Sequence, residues 1–453
     1  MADSVLHAAT AMLPEGWARD VRIAIRGGIV AAIDTGVPPQ PADERCAILL
    51  PGLPNLHSHA FQRGMAGMAE RRGPSADSFW TWRETMYRFV DTIDPDQLGA
   101  IAALAFMEML ETGFTRVGEF HYLHHDRDGR AFANPARMAE ALAGAAAETG
   151  IALTLLPVFY AHGGFGGAAP GPAQCRFLSN VDSFARLRDA SRDALAGLPD
   201  AVLGIAPHSL RAVTPEELRA LGALAPEGPV HIHIAEQTRE VEDCLAWSGA
   251  RPVAWLLDHA DVDARWCLVH ATHMTDAETD ALAASGAVAG LCPITEANLG
   301  DGLFPADRFV AAGGRYGLGS DSNVLIDAAE EMRLLEYGQR LLHRQRNLLA
   351  GPDTPHSGAA IYRAALDGGG AALGAASGIA VGQAADLVSL DADHPSLAEA
   401  SGDAILDAWA FAAGRGAIDG VWRRGEQLVR GGRHRARAAI VARYRIVLRA
   451  LTG

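Results

Sequence analysis

The 453-residue chain contains no lysine: each of its 39 basic residues is an arginine. That absence excludes P-loop nucleotide hydrolases, whose lysine sits on the phosphates. It also excludes pyridoxal enzymes and Schiff-base aldolases, which need a lysine amine, and hydrolases that bridge two metal ions through a modified lysine. Cysteine is scarce. The five present are far apart with no Cys-X-X-Cys pair, so neither a disulfide framework nor a cysteine-built zinc site is expected. No apolar run reaches the length of about 18 residues that a membrane helix needs, and residues 1–20 lack a basic stretch followed by an apolar one. This predicts a cytoplasmic chain with no membrane partner. Positive charge is also in short supply. The net charge is −15 and no basic run could track a phosphate backbone, so no nucleic-acid partner is expected.

What the chain does have is core-forming material, with 49% hydrophobic and 21% charged residues. Residues 18–34 alternate apolar and polar around Gly27-Gly28, which is a hairpin signal. The same texture returns in residues 382–391 and 419–430. Both ends of the chain are therefore expected to join in one small β-sandwich-like domain, residues 1–48 and 376–453, closing with a solvated surface helix over 433–453. Between them, residues 49–375 carry the pattern of an α/β chain folded as a (β/α)8 TIM barrel. Eight apolar runs (46–51, 114–120, 151–160, 201–207, 229–234, 266–270, 287–292 and 315–320) alternate with longer segments of helical period. The Gly- and Pro-rich residues 162–172 read as a mobile loop.

Histidines and carboxylates gather where these runs end. The first is followed by Leu56-His57-Ser58-His59, with Gln62 beyond; the second by Glu119, His121 and Tyr122; the fourth by His208 and Arg211. The fifth holds His231-Ile-His233 and leads to Glu236, the sixth ends in His270, and the eighth in Ser320-Asp321. Strand ends around a barrel converge at one face. Histidines at i and i+2 on a strand share a side, so His57 and His59 can bind one cation, completed by a histidine of the fifth run and by Asp321. His231 and His233 share a strand face; His233 is preferred because Glu236 then lies just off the strand end. Zinc suits these donors, and Fe2+ or Mn2+ would be accepted. His121, His124, His125 and His162 have only loop context and read as exposed or capping residues.

Pro51-Gly-Leu-Pro-Asn-Leu-His-Ser-His, His233-Ile-Ala-Glu, His270 and Gly319-Ser-Asp resemble the metal-dependent amidohydrolase superfamily in its one-metal deaminase branch. Further stretches narrow the resemblance to the formimidoylglutamate deiminases (N-formimino-L-glutamate iminohydrolases) of histidine degradation. These are His57-Ser-His-Ala-Phe-Gln-Arg, Ser78-Phe-Trp-Thr-Trp-Arg-Glu, Glu119-Phe-His-Tyr, His208-Ser-Leu-Arg-Ala-Val-Thr and Thr295-Glu-Ala-Asn-Leu-Gly-Asp-Gly. The resemblance spans nearly the whole chain. It implies one zinc held by His57, His59, His233 and Asp321, and commonly a homodimer.

It further implies hydrolysis of N-formimino-L-glutamate to N-formyl-L-glutamate and ammonia. Asp321 would take the proton of the attacking water, His270 would orient it, and Glu236 would protonate the departing nitrogen. A small acidic substrate needs cations, and arginine must supply them: Arg211 first, Arg83 second. Gln62, Tyr122 and His208 are the expected hydrogen-bond partners, while the aromatic cluster at 79–82 is expected to pack a loop or lid. The alternative substrate is a purine or triazine ring for a deaminase of the same superfamily. A non-catalytic barrel would be expected to have lost donors, and all four are present.

Overall fold

The computed structural model describes residues 3–72 and 78–452. Its first strands are β1 (Ser4–Leu13), β2 (Gly16–Arg26), β3 (Ile29–Asp34) and β4 (Glu44–Pro51). Gly27 and Gly28, at φ of 57° and 86°, make the turn between β2 and β3. A two-residue turn with both central residues at positive φ matches the twist of the strands it joins.

Next come two sets of parallel strands. The first set is β5 (Leu53–Ser58), β6 (Phe114–His121), β7 (Ala152–Phe159) and the short β8 (Val202–Leu203) and β9 (Ala206–Pro207); the second is β10 (Val230–Ile234), β11 (Trp266–His270), β12 (Val288–Leu291) and β13 (Arg315–Leu318). Parallel bridges link the sets on both sides: Ile205 to Val230 and Ser209 to His233, then Ser58 to Asp321. With β8 and β9 taken as one position, eight parallel positions form a circuit of pairings. Helices separate successive strands, and β6, β7, β10 and β11 are buried along their whole length, as parallel strands covered on both faces should be.

The chain then returns to its first sheet with β14 (Leu387–Leu390), β15 (Ile418–Arg423), β16 (Glu426–Arg430) and β17 (Arg433–His434), giving the order β17-β16-β15-β14-β4-β1-β2-β3. Strands from the two ends of the chain lie in a single sheet rather than in two separate layers. It curls until distant hairpins meet: the Arg424 guanidinium donates to the Gly27 carbonyl at 3.0 Å. Leu6, Val21, Ile23, Leu387 and Trp422 fill the hollow of that curl.

Two expectations change. Residues 46–51 belong to β4 of the mixed sheet, and the first parallel strand begins at Leu53. Gly52 marks the crossing, its N–H donating to the Asp386 carbonyl at 2.9 Å. A Cβ there would lie 2.2 Å from the Thr115 side chain, so only glycine lets the chain pass. The terminal helix, Arg437–Thr452, is not simply solvated: Ile440 is buried, and Arg437 and Arg443 pair with Glu111 and Glu148.

Candidate active site

β5 ends next to two of the expected donors. His57 is its penultimate residue and His59 follows it, and their rings meet those of His233 from β10 and the carboxylate of Asp321 just past β13. His57 Nε2 lies 3.3 Å from His59 Nε2 and 3.0 Å from His233 Nε2. Asp321 Oδ1 is 3.5 Å from His57 Nε2 and 3.3 Å from His59 Nε2. Donors about 2 Å from a tetrahedral ion sit roughly 3.3 Å apart, so this spacing fits one ion. Three imidazole nitrogens and a carboxylate oxygen, all buried, are a set that borderline divalent cations accept.

The protonation states agree with that use. Burial keeps the three imidazoles neutral, lowering His57 to about 3 and His233 well below its ordinary value. Neutral rings leave lone pairs for a cation. His59 donates its Nδ1–H to the Phe120 carbonyl at 2.8 Å, which turns its bare Nε2 inward. His231 is excluded from the cluster: its Nε2–H donates to the Ala372 carbonyl at 2.7 Å, one layer of side chains deeper. Burial would raise the Asp321 carboxyl, but the facing histidines hold it below its usual range.

The backbone is strained where these groups meet. Ala235, His270, Asp321 and Asn323 have φ of 50°, 68°, 43° and 55°, each costing on the order of 1–3 kcal/mol unless the surroundings enforce it. Here they do. Asp321 N–H donates to the His57 carbonyl and His59 N–H to the Asp321 carbonyl, both at 2.9 Å. The buried Asn323 amide donates at 3.1 Å to Ser58 Oγ and to the carbonyls of His59 and Asp321. Asn55 accepts the Ser320 N–H at 3.0 Å. Glu119 accepts the Ala60 N–H at 2.7 Å, anchoring the turn that follows His59.

His270 lies among carboxylates. Its Nε2 is 3.8 Å from Glu236 Oε1 and 3.9 Å from Asp321 Oδ2, while its Nδ1 is 3.3 Å from Glu296 Oε1. Burial opposes a charge on the ring, but Glu236, Glu296 and Asp321 outweigh it and push His270 up to about 10. Burial raises Glu236 to about 7, with Asp321 and Glu240 adding to the rise and His270 opposing it. A carboxyl tuned there can both give and take a proton at neutral pH.

A cavity of about 560 Å³ opens above the cluster. Of the site residues singled out in the sequence, all but His57 line it; His57 lies fully buried behind. The Gln62 amide donates to Tyr122 Oη at 3.0 Å and leaves its own oxygen unpartnered. His208 sits with Nδ1 3.1 Å from Ser209 Oγ and its ring 4.6 Å from that of Tyr160. Arg83 and Arg211 reach the same cavity without an ion-pair partner within 4.0 Å among the described residues, and Arg211 Nε is buried and unbonded.

Other residues depart from expectation. Phe79 and Trp82 line the cavity instead of only packing a loop, because the helix Phe79–Val90 forms part of its wall. His121 and His124 are buried rather than exposed; His124 donates to the Val158 carbonyl at 2.8 Å. His125 donates to the Leu178 carbonyl, and His162 pairs with Glu217. None of these four joins the cluster. Sequence reasoning missed Asn55 and Asn323, which hold the donor segments from behind, Glu296, which faces His270, and the cavity-lining Tyr87 and Tyr160.

Residues 48–428 match the Amidohydrolase family, and residues 3–47 match the N-terminal domain of formimidoylglutamate deiminase HutF. A formimidoylglutamate deiminase of Pseudomonas aeruginosa is 52% identical over 434 residues, covering 95% of this chain and 96% of that one. Among solved structures, an amidohydrolase from Brucella melitensis aligns with a TM-score of 0.97 at 56% identity, over 99% of this chain and 100% of the other. An adenosine deaminase from Xanthomonas campestris with bound zinc aligns with a TM-score of 0.82 at 25% identity, over 99% and 98%.

Proposed function

Because the chain belongs to the amidohydrolase family, and within it to the formimidoylglutamate deiminases, we propose that it hydrolyses N-formimino-L-glutamate to N-formyl-L-glutamate and ammonia in histidine degradation. One observation carries the substrate: two guanidiniums with no carboxylate within 4.0 Å among the described residues, Arg83 and Arg211, stand in a cavity above a one-ion donor set. A glutamate derivative brings two carboxylates, and a planar guanidinium can take each in bidentate fashion.

His57, His59, His233 and Asp321 would hold the metal. Zinc is the proposed ion, supported by the donor chemistry and by the zinc-bound neighbour; Fe2+ or Mn2+ would fit the same donors. Such an ion, when bound, lowers the pKa of water to about 7 and so supplies a nucleophile at neutral pH. With the ion in place, Asp321 would take the proton of the attacking water, and His270 would orient the attacking oxygen. Glu236 delivers a proton to the departing nitrogen, so that ammonia leaves rather than an amide anion. Gln62, Tyr122 and His208 orient the substrate by hydrogen bonds.

We read the parallel circuit as a (β/α)8 barrel over residues 49–375, with residues 1–48 and 376–453 forming the small β domain. The exposed Leu341 and Leu342 at the end of the helix Ala328–His343 support a homodimer, and a cytoplasmic location is proposed; light scattering and cell fractionation check both. Ammonia release by the metal-loaded protein decides the substrate. N-formimino-L-glutamate should be turned over far faster than guanine, adenosine or formamidine, and a preference for a ring substrate would overturn the reading.

A further inference from the structure

Arg83 and Arg211 also border a second cavity on their far side. It opens between the helix Phe79–Val90 and the helix Thr238–Ser248, with Trp80, Phe165, Trp247, Arg239 and Asp243 in its walls. Arg239 holds its guanidinium carbon 4.9 Å from the centre of the Trp80 ring, and Arg83 lies 5.0 Å from the same ring. Two cations from different helices thus share one indole. Among the described residues the cavity's one carboxylate is Asp243, 3.7 Å from Arg239 Nε.

Among the residues that line this cavity, three guanidiniums stand against one carboxylate in a chain whose net charge is −15, with Glu240 and Glu236 acting on Arg211 from outside it. A dianion approaching from solution meets repulsion overall, screened beyond a Debye length of about 8 Å. It meets attraction only where cations cluster. Stacking on Trp80 also restrains the Arg239 side chain, so less freedom is lost when it pairs with an anion.

We infer that this outer cavity is a capture site for the dicarboxylate substrate, in which Arg239 takes one carboxylate first and Arg83 and Arg211, facing both cavities, draw the molecule inward. The inference rests on the acidic-substrate reading above and deepens it: Arg239 becomes a further specificity residue, remote from the reacting atoms. No bond is made or broken there.

The test uses Arg239→Gln, Arg239→Glu and Arg239→Lys in the metal-loaded enzyme, whose Arg239 side chain is largely exposed. Turnover of N-formimino-L-glutamate is followed at rising ionic strength, and binding of glutarate by calorimetry. The Gln variant should lose about threefold to tenfold in kcat/KM, carried by KM, and show a shallower salt dependence. The Glu variant should lose more, and the Lys variant should recover most of the loss because its charge is kept. Glutarate should bind the Gln variant more weakly. A Gln variant matching the parent in kcat/KM and salt slope overturns the inference. So does a Lys variant as impaired as the Gln one, since stacking rather than charge would then be the role. If the parent fails to deaminate N-formimino-L-glutamate, the substrate reading falls by itself, and the glutarate comparison still decides the capture site.

Discussion

His270 Nδ1 and Glu296 Oε1 lie 3.3 Å apart, at the edge of the ring opposite the nitrogen that faces Asp321. The carboxylate fixes the ring and favours its charged form. Glu296→Gln keeps the oxygen that accepts the Cys292 N–H at 3.0 Å but removes the charge. kcat should fall about 10- to 100-fold, with KM and bound metal nearly unchanged. Steady-state kinetics with metal analysis check this, and an undiminished kcat would show that the ring is held by other groups.

Glu236→Gln replaces with an amide the titrating carboxyl of a side chain that lines the cavity 3.8 Å from His270 Nε2. The loss should fall in kcat, by about 100- to 10,000-fold, while substrate still binds. Equilibrium binding of N-formyl-L-glutamate separates the two effects. Weakened binding with kcat retained would assign Glu236 to recognition instead.

Arg211→Ala should lower kcat/KM for N-formimino-L-glutamate by about 100-fold, since a charge-assisted bidentate contact is lost. Slow turnover of formamidine, which has no carboxylate, should hardly move. Equal losses on both substrates would mean the arginine supports the site's structure, not recognition.

Chelation should lower the melting temperature of the parent, because a ligand that binds only the folded state stabilises it by mass action, about 2.7 kcal/mol at 100 times Kd. Zinc should restore it. His233→Ala, lacking a nitrogen that sits 3.0 Å from His57 Nε2, should melt at the same temperature with or without chelator. A chelator-sensitive His233→Ala protein would place the ion elsewhere.

Acid should destabilise the fold through histidines outside the cluster. Burial lowers His124 to about 3 against the pull of the Val158 carbonyl, and lowers its neighbour His121 well below its ordinary value. The unfolded chain takes up these protons near pH 6.5, whereas the folded chain resists until far lower. The unfolded state therefore binds more protons between about pH 6.5 and 3. Stability falls as pH drops through that window, by about 1.4 kcal/mol per unit for each such group. Urea midpoints measured from pH 7 to pH 5 should decline, and a flat series would contradict the assignment.

The donors were legible because strand chemistry is periodic: His57 and His59 stand two apart, and strand ends converge whatever their distance in sequence. An apolar run carries no mark of which sheet it joins, and residues 46–51 lie in β4, paired with β1 and β14 instead of with the parallel circuit. Asn55 and Ser320 are bonded across 265 residues, and Glu296 reaches His270 from a helix that turns back over the site. Such supports have no fixed spacing, so nothing in the one-dimensional pattern announces them. His121 and His124 looked like loop residues for a similar reason, since their cover comes from elements distant in the chain.

The bridge between Ser58 and Asp321 bears on how the protein matures. It joins the first and last parallel strands at Ser58, which stands between the proposed ligands His57 and His59, and at Asp321, the proposed carboxylate ligand. A nascent chain still missing its final strand would offer scattered imidazoles but no cage. Cation loading should thus be a late event, reserved for molecules that have already finished folding.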